Sequence, residues 1–175
     1  DFTRVVAGPA CTQTLADFGA EVIKIENPDG GDDTRHYEHA EIGGESAAFL
    51  SLNRNKRGTA INLKSEAGRA ILRRMLATAD VVLENFRPGT MEKLGLGYDT
   101  LRAANPGLIY CQLTGFGTTG PYADRAGFDL IAQGMSGLMS LTGEGPGRPP
   151  VKVGVPITDM TAGILGVVAI LAAYV

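Results

Sequence analysis

The chain has 175 residues, 44% hydrophobic and 20% charged, a globular composition long enough for one domain with a real core. A net charge of −3 argues against a broad nucleic-acid surface. Its two cysteines, Cys11 and Cys111, stand far apart with no zinc-type spacing, so free thiols in a reducing cytosol are expected and a metal centre is not.

Val5–Val6 reads as strand-like, and AGPA (7–10) as a turn. Residues 11–18 read as a short helix stopped by Gly19. AEVIKIE (20–26) is a strand and PDGGDDTR (28–35) a polar loop. His36 and His39 continue that polar stretch and are expected to be solvated. AAFLSLNRNKRG (47–58) joins an apolar patch to a basic one, and TAINLK (59–64) is a second strand. Ser65 has the position of an N-cap, and apolar residues at helical spacing run through Ala79. VVLENF (81–86) lacks alternation, as a strand buried on both faces does. Two short helical pieces lead to the strand LIYCQLTGFG (108–117). A helix over 129–143, the rigid loop EGPGRPP and a last helix starting near Asp159 complete the series.

Strands alternating with helices predict an open, mostly parallel, Rossmann-like sheet with helices on both faces. Ligands gather at the carboxyl ends of such strands, so AGPA, NRNKRG, ENFRPG and LTGFGTTGP are the loops to search. GFGTTG (115–120) follows a strand, but Pro121 and the polar run behind it do not open a helix, which favours a plain glycine-rich loop over a dinucleotide site. Arg54, Lys56, Arg57, Arg87 and Lys93, with Arg35, follow predicted strand ends and suit a phosphate-bearing ligand. The apolar run 160–175 falls short of the ~20 residues of a spanning helix, and its small residues suit close packing, so a buried helix is expected and no membrane. The chain opens without a signal peptide, begins in a strand and stops in a helix, as a piece of a longer protein would.

Asp159 is the one acid at the mouth of that run. As a helix cap, Thr158 or Asp159 would accept a backbone N–H, worth about 0.5–2 kcal/mol. A carboxylate in that place also stays ionised through the helix dipole and can attack an activated acyl group. The two readings are compatible.

The stretches 1–28, SLNRNKRGTAINLK, ADVVLENFRPGTMEKLGLGYDTL, IYCQLTGFGTTGP and AGFDLIAQGMSGLM, in this order, resemble the class III CoA-transferases, also called the CaiB/BaiF family. The resemblance spans essentially the whole chain, and its wording is nearest to members using succinyl-CoA or similar dicarboxylyl donors. It implies that Asp159 is the catalytic nucleophile and that CoA moves from an acyl-CoA to a carboxylic acid through aspartyl anhydride and aspartyl-CoA thioester intermediates. It further implies CoA contacts at Val6, Ala7, Ile61, Asn62, Leu63, Lys64, Asn85, Phe86, Arg87, Lys93, Ala126, Gly127, Phe128 and Asp129. CoA and acyl-CoA are then substrates, with no permanently bound cofactor and no metal. An interlocked homodimer in the cytoplasm is implied, with residues 1–175 supplying the CoA-binding part of the large domain and the piece inactive alone.

Departures narrow the chemistry. Formyl-CoA transferases have glutamine where Val6 stands and tyrosine where Phe128 stands, and a family arginine near Asn27 is missing. The related α-methylacyl-CoA racemases carry Gly-His-Asp where this chain has Gly127-Phe128-Asp129, and proton transfer at Cα needs that base. Racemisation is the first alternative, and a non-enzymatic CoA-binding module the second.

Overall fold

The faces of the sheet can be followed along single strands. The computed structural model describes residues 1–38 and 40–175, so His39 lies outside the described residues. In chain order the elements are α1 (Ala7–Asp17), β1 (Val22–Glu26), a 3-10 turn (Asp33–His36), β2 (Glu41–Ile42), β3 (Glu45–Ser46), α2 (Ala47–Asn53) and β4 (Lys56–Ala60). They continue with α3 (Glu66–Leu76), β5 (Val81–Glu84), α4 (Thr90–Lys93), α5 (Tyr98–Ala104), β6 (Ile109–Gln112), α6 (Asp129–Met135), α7 (Leu138–Thr142) and α8 (Ile157–Tyr174).

β1 pairs in parallel with β4, from Val22 opposite Lys56 to Glu26 opposite Ala60. β5 pairs in parallel with β6, from Val81 opposite Ile109 to Glu84 opposite Gln112. Residues 1–3 join the pairs: the Asp1 nitrogen donates to the Ile23 carbonyl at 3.0 Å, Ile25 N–H to the Asp1 carbonyl at 2.8 Å, and Phe2 N–H to the Leu83 carbonyl at 2.9 Å. Residues 1–3 thus bridge the two parallel pairs, in the order β4, β1, residues 1–3, β5, β6. The short antiparallel pair β2–β3 stands apart from them.

Along β5, Val82 enters a core with Phe2, Ile25, Leu72, Leu76, Met91, Leu96 and Leu101, beneath α3, α4 and α5. The next residue, Leu83, faces the other way and packs with Cys11, Val167 and Ile170 of α1 and α8. Helices therefore cover both faces, as the alternation predicted. Each fully buried Leu, Ile or Phe here contributes roughly 1.5–3 kcal/mol.

Several boundaries differ from the sequence reading. Val5–Val6 is a turn, with Val5 at φ +70°, and AGPA opens α1. Pro9 lies in the first helical turn, where its missing N–H costs nothing. The second strand is 56–60, because β4 is a polar edge strand, and 61–64 turns instead, with Lys64 N–H donating to Asn62 Oδ1 at 2.9 Å. Ser65 caps α3 as expected, accepting from Gly68 N–H at 3.0 Å, but α3 ends at Leu76. The strands 81–86 and 108–117 shorten to Val81–Glu84 and Ile109–Gln112. The helix over 129–143 is two helices, broken at Gly137 with φ +82°.

α8 is long and apolar enough to cross a membrane, with mean hydropathy 1.8. It is buried along one face only. Gly163, Gly166, Val167 and Ile170 are covered, whereas Ile164, Leu165, Val168 and Leu171 are exposed, a correction to the buried helix expected. The small residues do serve close packing: a Cβ on Gly163 would meet the Ala7 carbonyl oxygen at 2.7 Å. Cys11 is buried and Cys111 only half-buried, and both are free thiols.

Candidate active site

The carboxyl ends of β5 and β6 and the amino end of α1 open on a cleft of about 380 Å³. Its walls are Arg4–Ala7, Asn85–Pro88, Leu113–Phe116, Arg125–Phe128 and the first turn of α8. A larger cavity of about 590 Å³ lies at the opposite ends of β1 and β5, lined by residues such as Leu15, Val22 and Met75. Open parallel sheets bind ligands at the carboxyl ends, so the smaller cleft is the candidate.

The cleft assembles because each wall is pinned locally. The Asn85 side chain extends the ladder beyond the backbone: Arg4 N–H donates to its Oδ1 at 2.9 Å, and its Nδ2 donates to the Arg4 carbonyl at 2.7 Å. Asp32 Oδ1 accepts from Val5 N–H at 3.2 Å, and Lys24 Nζ, fully buried, donates to Asp32 Oδ2 at 2.8 Å. This pair fixes a left-handed β-branched residue, a rare conformation, at the entrance to α1. Burial would raise Asp32, but the Lys24 charge and the bonds from Lys24 and Thr34 hold it below the usual carboxylate range. Glu84, at the end of β5, accepts from Phe86 N–H at 2.8 Å and from Tyr110 Oη at 3.4 Å, and burial raises its carboxyl. Gly115 and Gly127 cross so closely that a Cβ on Gly115 would meet Gly127 Cα at 2.3 Å. GFGTTG therefore begins with a backbone crossing, in keeping with the plain-loop reading.

Asp159 lines the cleft from the first turn of α8. It is not the helix cap. α8 starts at Ile157 after Pro156, and neither Thr158 nor Asp159 accepts a capping bond with its side chain. The acceptor comes from another element: Asp129 Oδ1 receives Thr158 N–H at 2.8 Å, Thr158 Oγ1 at 2.6 Å and Asp159 N–H at 3.4 Å. Burial would raise Asp129, but the bonds from Thr158, Gln133 and Asp159 hold its carboxyl low. Asp159 is then half-buried beside a second anion. Burial, followed by the Asp129 charge, raises its carboxyl to about 6, against the expectation that the helix dipole keeps it readily ionised. Its oxygens accept no hydrogen bond from the described residues.

Of the residues singled out from the sequence, Val6, Ala7, Asn85, Phe86, Arg87, Ala126, Gly127, Phe128 and Asp159 line this cleft. Asp129 stands behind it, bonded to α8. Ile61, Asn62, Leu63, Lys64 and Lys93 are not among its walls, and the Ile61 side chain is buried in the core. Among the described residues no group of three or more His, Cys, Asp or Glu is placed to hold a metal ion. His36 is exposed, with a ring nitrogen 2.9 Å from the Gly30 carbonyl. The sequence reading missed Arg4, Asp33 and Arg125 in the walls, whereas Leu113–Phe116 come from the loop LTGFGTTGP that it named. Arg125 adjoins the predicted segment 126–129, a signal that could have found it. Arg4 reaches the cleft only through the central position of residues 1–3.

An open α/β sheet whose carboxyl edge carries a cleft lined by a half-buried carboxylate, Asp159, and by Arg4, Arg87 and Arg125 suits chemistry on an anionic ligand. The model of CoA-transferase family III matches residues 1–175, and the chain belongs to that family. The succinate–glutarate CoA-transferase of Agrobacterium fabrum is 52% identical over all of this chain and 45% of its own length. Succinyl-CoA:glutarate CoA-transferase of Mus musculus is 48% identical over 98% of this chain and 39% of its own. The crystal structure of a CaiB/BaiF family protein from Brucella suis superposes with TM-score 0.94 at 49% identity, over 99% of this chain and 46% of that one. The chain thus spans less than half the length of the relatives it matches.

Proposed function

We propose that the protein transfers coenzyme A from a dicarboxylyl-CoA such as succinyl-CoA to a carboxylic acid, with Asp159 as nucleophile. One observation carries this reading: a half-buried carboxylate without a hydrogen-bond partner among the described residues, facing an open cleft walled by arginines and apolar side chains. The names of the relatives support the donor class.

An Asp159 oxygen attacks the thioester carbonyl. The C–S bond breaks, CoA leaves as thiolate and a mixed anhydride forms. The thiolate attacks the aspartyl carbonyl, the donor acid departs as carboxylate and Asp159 becomes a CoA thioester. The acceptor carboxylate attacks that thioester and expels the thiolate, which then attacks the acceptor carbonyl and frees Asp159. No step consumes water, so the apolar wall of Val6, Ala7 and Phe128 protects the anhydrides. Arg4, Arg87 and Arg125 suit the phosphates of CoA or a distal carboxylate. Phe128 occupies the place where a racemase needs a base, which disfavours proton transfer at Cα.

The resemblance also supports a homodimer and a CoA-binding role for residues 1–175 within a larger domain. Two free thiols fit a reducing cytoplasm.

The test is to incubate the intact protein with succinyl-CoA, quench with hydroxylamine and digest. Mass spectrometry should find a hydroxamate at Asp159. An unlabelled Asp159 in a protein that still binds CoA would remove the covalent route.

A further inference from the structure

The stretch from Val153 into the first turn of α8 is gripped at two points by one face of α6. Gln133, fully buried, accepts from Val153 N–H with Oε1 at 2.8 Å and donates from Nε2 to Asp129 Oδ2 at 2.6 Å. Asp129 Oδ1 takes up Thr158 N–H, Thr158 Oγ1 and Asp159 N–H. Asp129 and Gln133 are one helical turn apart, so both side chains leave the same face. Both Asp129 oxygens are engaged within the protein.

We propose that Asp129 is a positioning residue rather than a CoA contact: with Gln133 it clamps residues 153–158 and so fixes the first turn of α8, from which Asp159 faces the cleft. This rests on the reading of Asp159 as the reacting carboxylate. An unclamped loop would let Asp159 drift, and a misplacement of ~1 Å can cost about a hundredfold in rate. The clamp also sets an anion beside Asp159. The other charged and titratable groups around the cleft are Asp33 and Tyr37 by the 3-10 turn, and Arg4, Arg87 and Arg125 from the walls.

The experiment uses the intact protein as wild type, Asp129→Asn, Asp129→Ala and Gln133→Met, with two readouts. The first needs no turnover: 13C carboxyl NMR follows the titration of Asp159, assigned by loss of its signal in Asp159→Asn. The second is CoA transfer from succinyl-CoA as a function of pH. Asp129→Asn keeps an acceptor and removes the charge. It should lower the Asp159 midpoint and shift the acidic limb of kcat to lower pH by the same amount. Asp129→Ala and Gln133→Met should lower kcat about 10- to 100-fold, with KM for succinyl-CoA changed less than about threefold. Asp129→Asn should retain more of kcat than Asp129→Ala. A raised KM with intact kcat would make Asp129 a substrate contact and overturn the proposal, as would a midpoint unmoved in Asp129→Asn. If the wild type transfers no CoA while the midpoint still moves in Asp129→Asn, the clamp stands and the proposed activity falls.

Discussion

Asp159 combines two opposed properties, and both follow from its surroundings. Burial and the Asp129 charge disfavour its ionised form, with the carboxyl raised to about 6. The same surroundings leave it weakly solvated once ionised, which suits the proposed attack on a thioester. Transfer activity should therefore fall as pH drops through about 6, provided Asp159 limits the acidic limb. The raised value also sets a sign for stability. A carboxyl with a higher value in the folded state favours folding while protonated and loses that contribution as pH rises through about 6. Asp159→Asn should accordingly raise the thermal midpoint by a few degrees at about pH 8 and by much less at about pH 4, where the folded carboxyl is protonated and the unfolded one only partly ionised. Thermal scans of both variants across pH check this. A gain of equal size at both pH values would show that charge burial is not its source.

At the scale of elements, α8 carries Asp159, the proposed nucleophile, and α1 carries one wall of the cleft, so their separation matters. Gly163 fixes it. A Cβ there would meet the Ala7 carbonyl oxygen at 2.7 Å, and that oxygen is main chain at the start of α1. Gly163→Ala should destabilise by about 1–3 kcal/mol in urea unfolding and lower CoA transfer. Gly166 is the internal control. Its Cβ would meet Cys11 Sγ at 3.1 Å, a side-chain atom at a less severe distance, so Gly166→Ala should cost less. Equal costs would mean that the two helices do not pack at Gly163 as described. Element types were legible wherever periodicity and local chemistry agree, as in Ser65 ahead of α3 or the unalternating Val81–Glu84. They were illegible where a partner element overrides the local signal. Lys56–Ala60 is strand because β1 pairs with it, not because its side chains are apolar.

The whole molecule is tied together by buried charges under α1. Lys24 bonds Asp32 and the Thr3 carbonyl, and Lys56 bonds Asp1 and the Pro9 carbonyl, so strands β1 and β4, residues 1–3 and α1 share one polar layer. Burial, with Lys24 nearby, lowers Lys56 to about 7. Lys24→Met leaves the fully buried Asp32 unpaired and should cost about 3–5 kcal/mol in denaturant unfolding. Adding Asp32→Asn removes the stranded charge, keeps an acceptor for Val5 and Thr34, and should recover part of the loss. No recovery would show that the lysine serves by packing alone.

The sequence by itself determined the class of fold, because strand–helix alternation leaves few packings other than a parallel sheet covered on both faces. It also singled out Asp159, since one acid before a long uncharged run stands out without any neighbour. Only the tertiary structure decided what Asp159 experiences. The carboxylate whose charge acts on it is 30 residues away on α6, and the capping acceptor of α8 is that same residue. Residues 1–3 lie between strands 22 and 82 positions beyond Asp1, and through them Arg4 reaches the cleft. Burial and long-range hydrogen bonds depend on which elements meet, and local spacing carries no record of that.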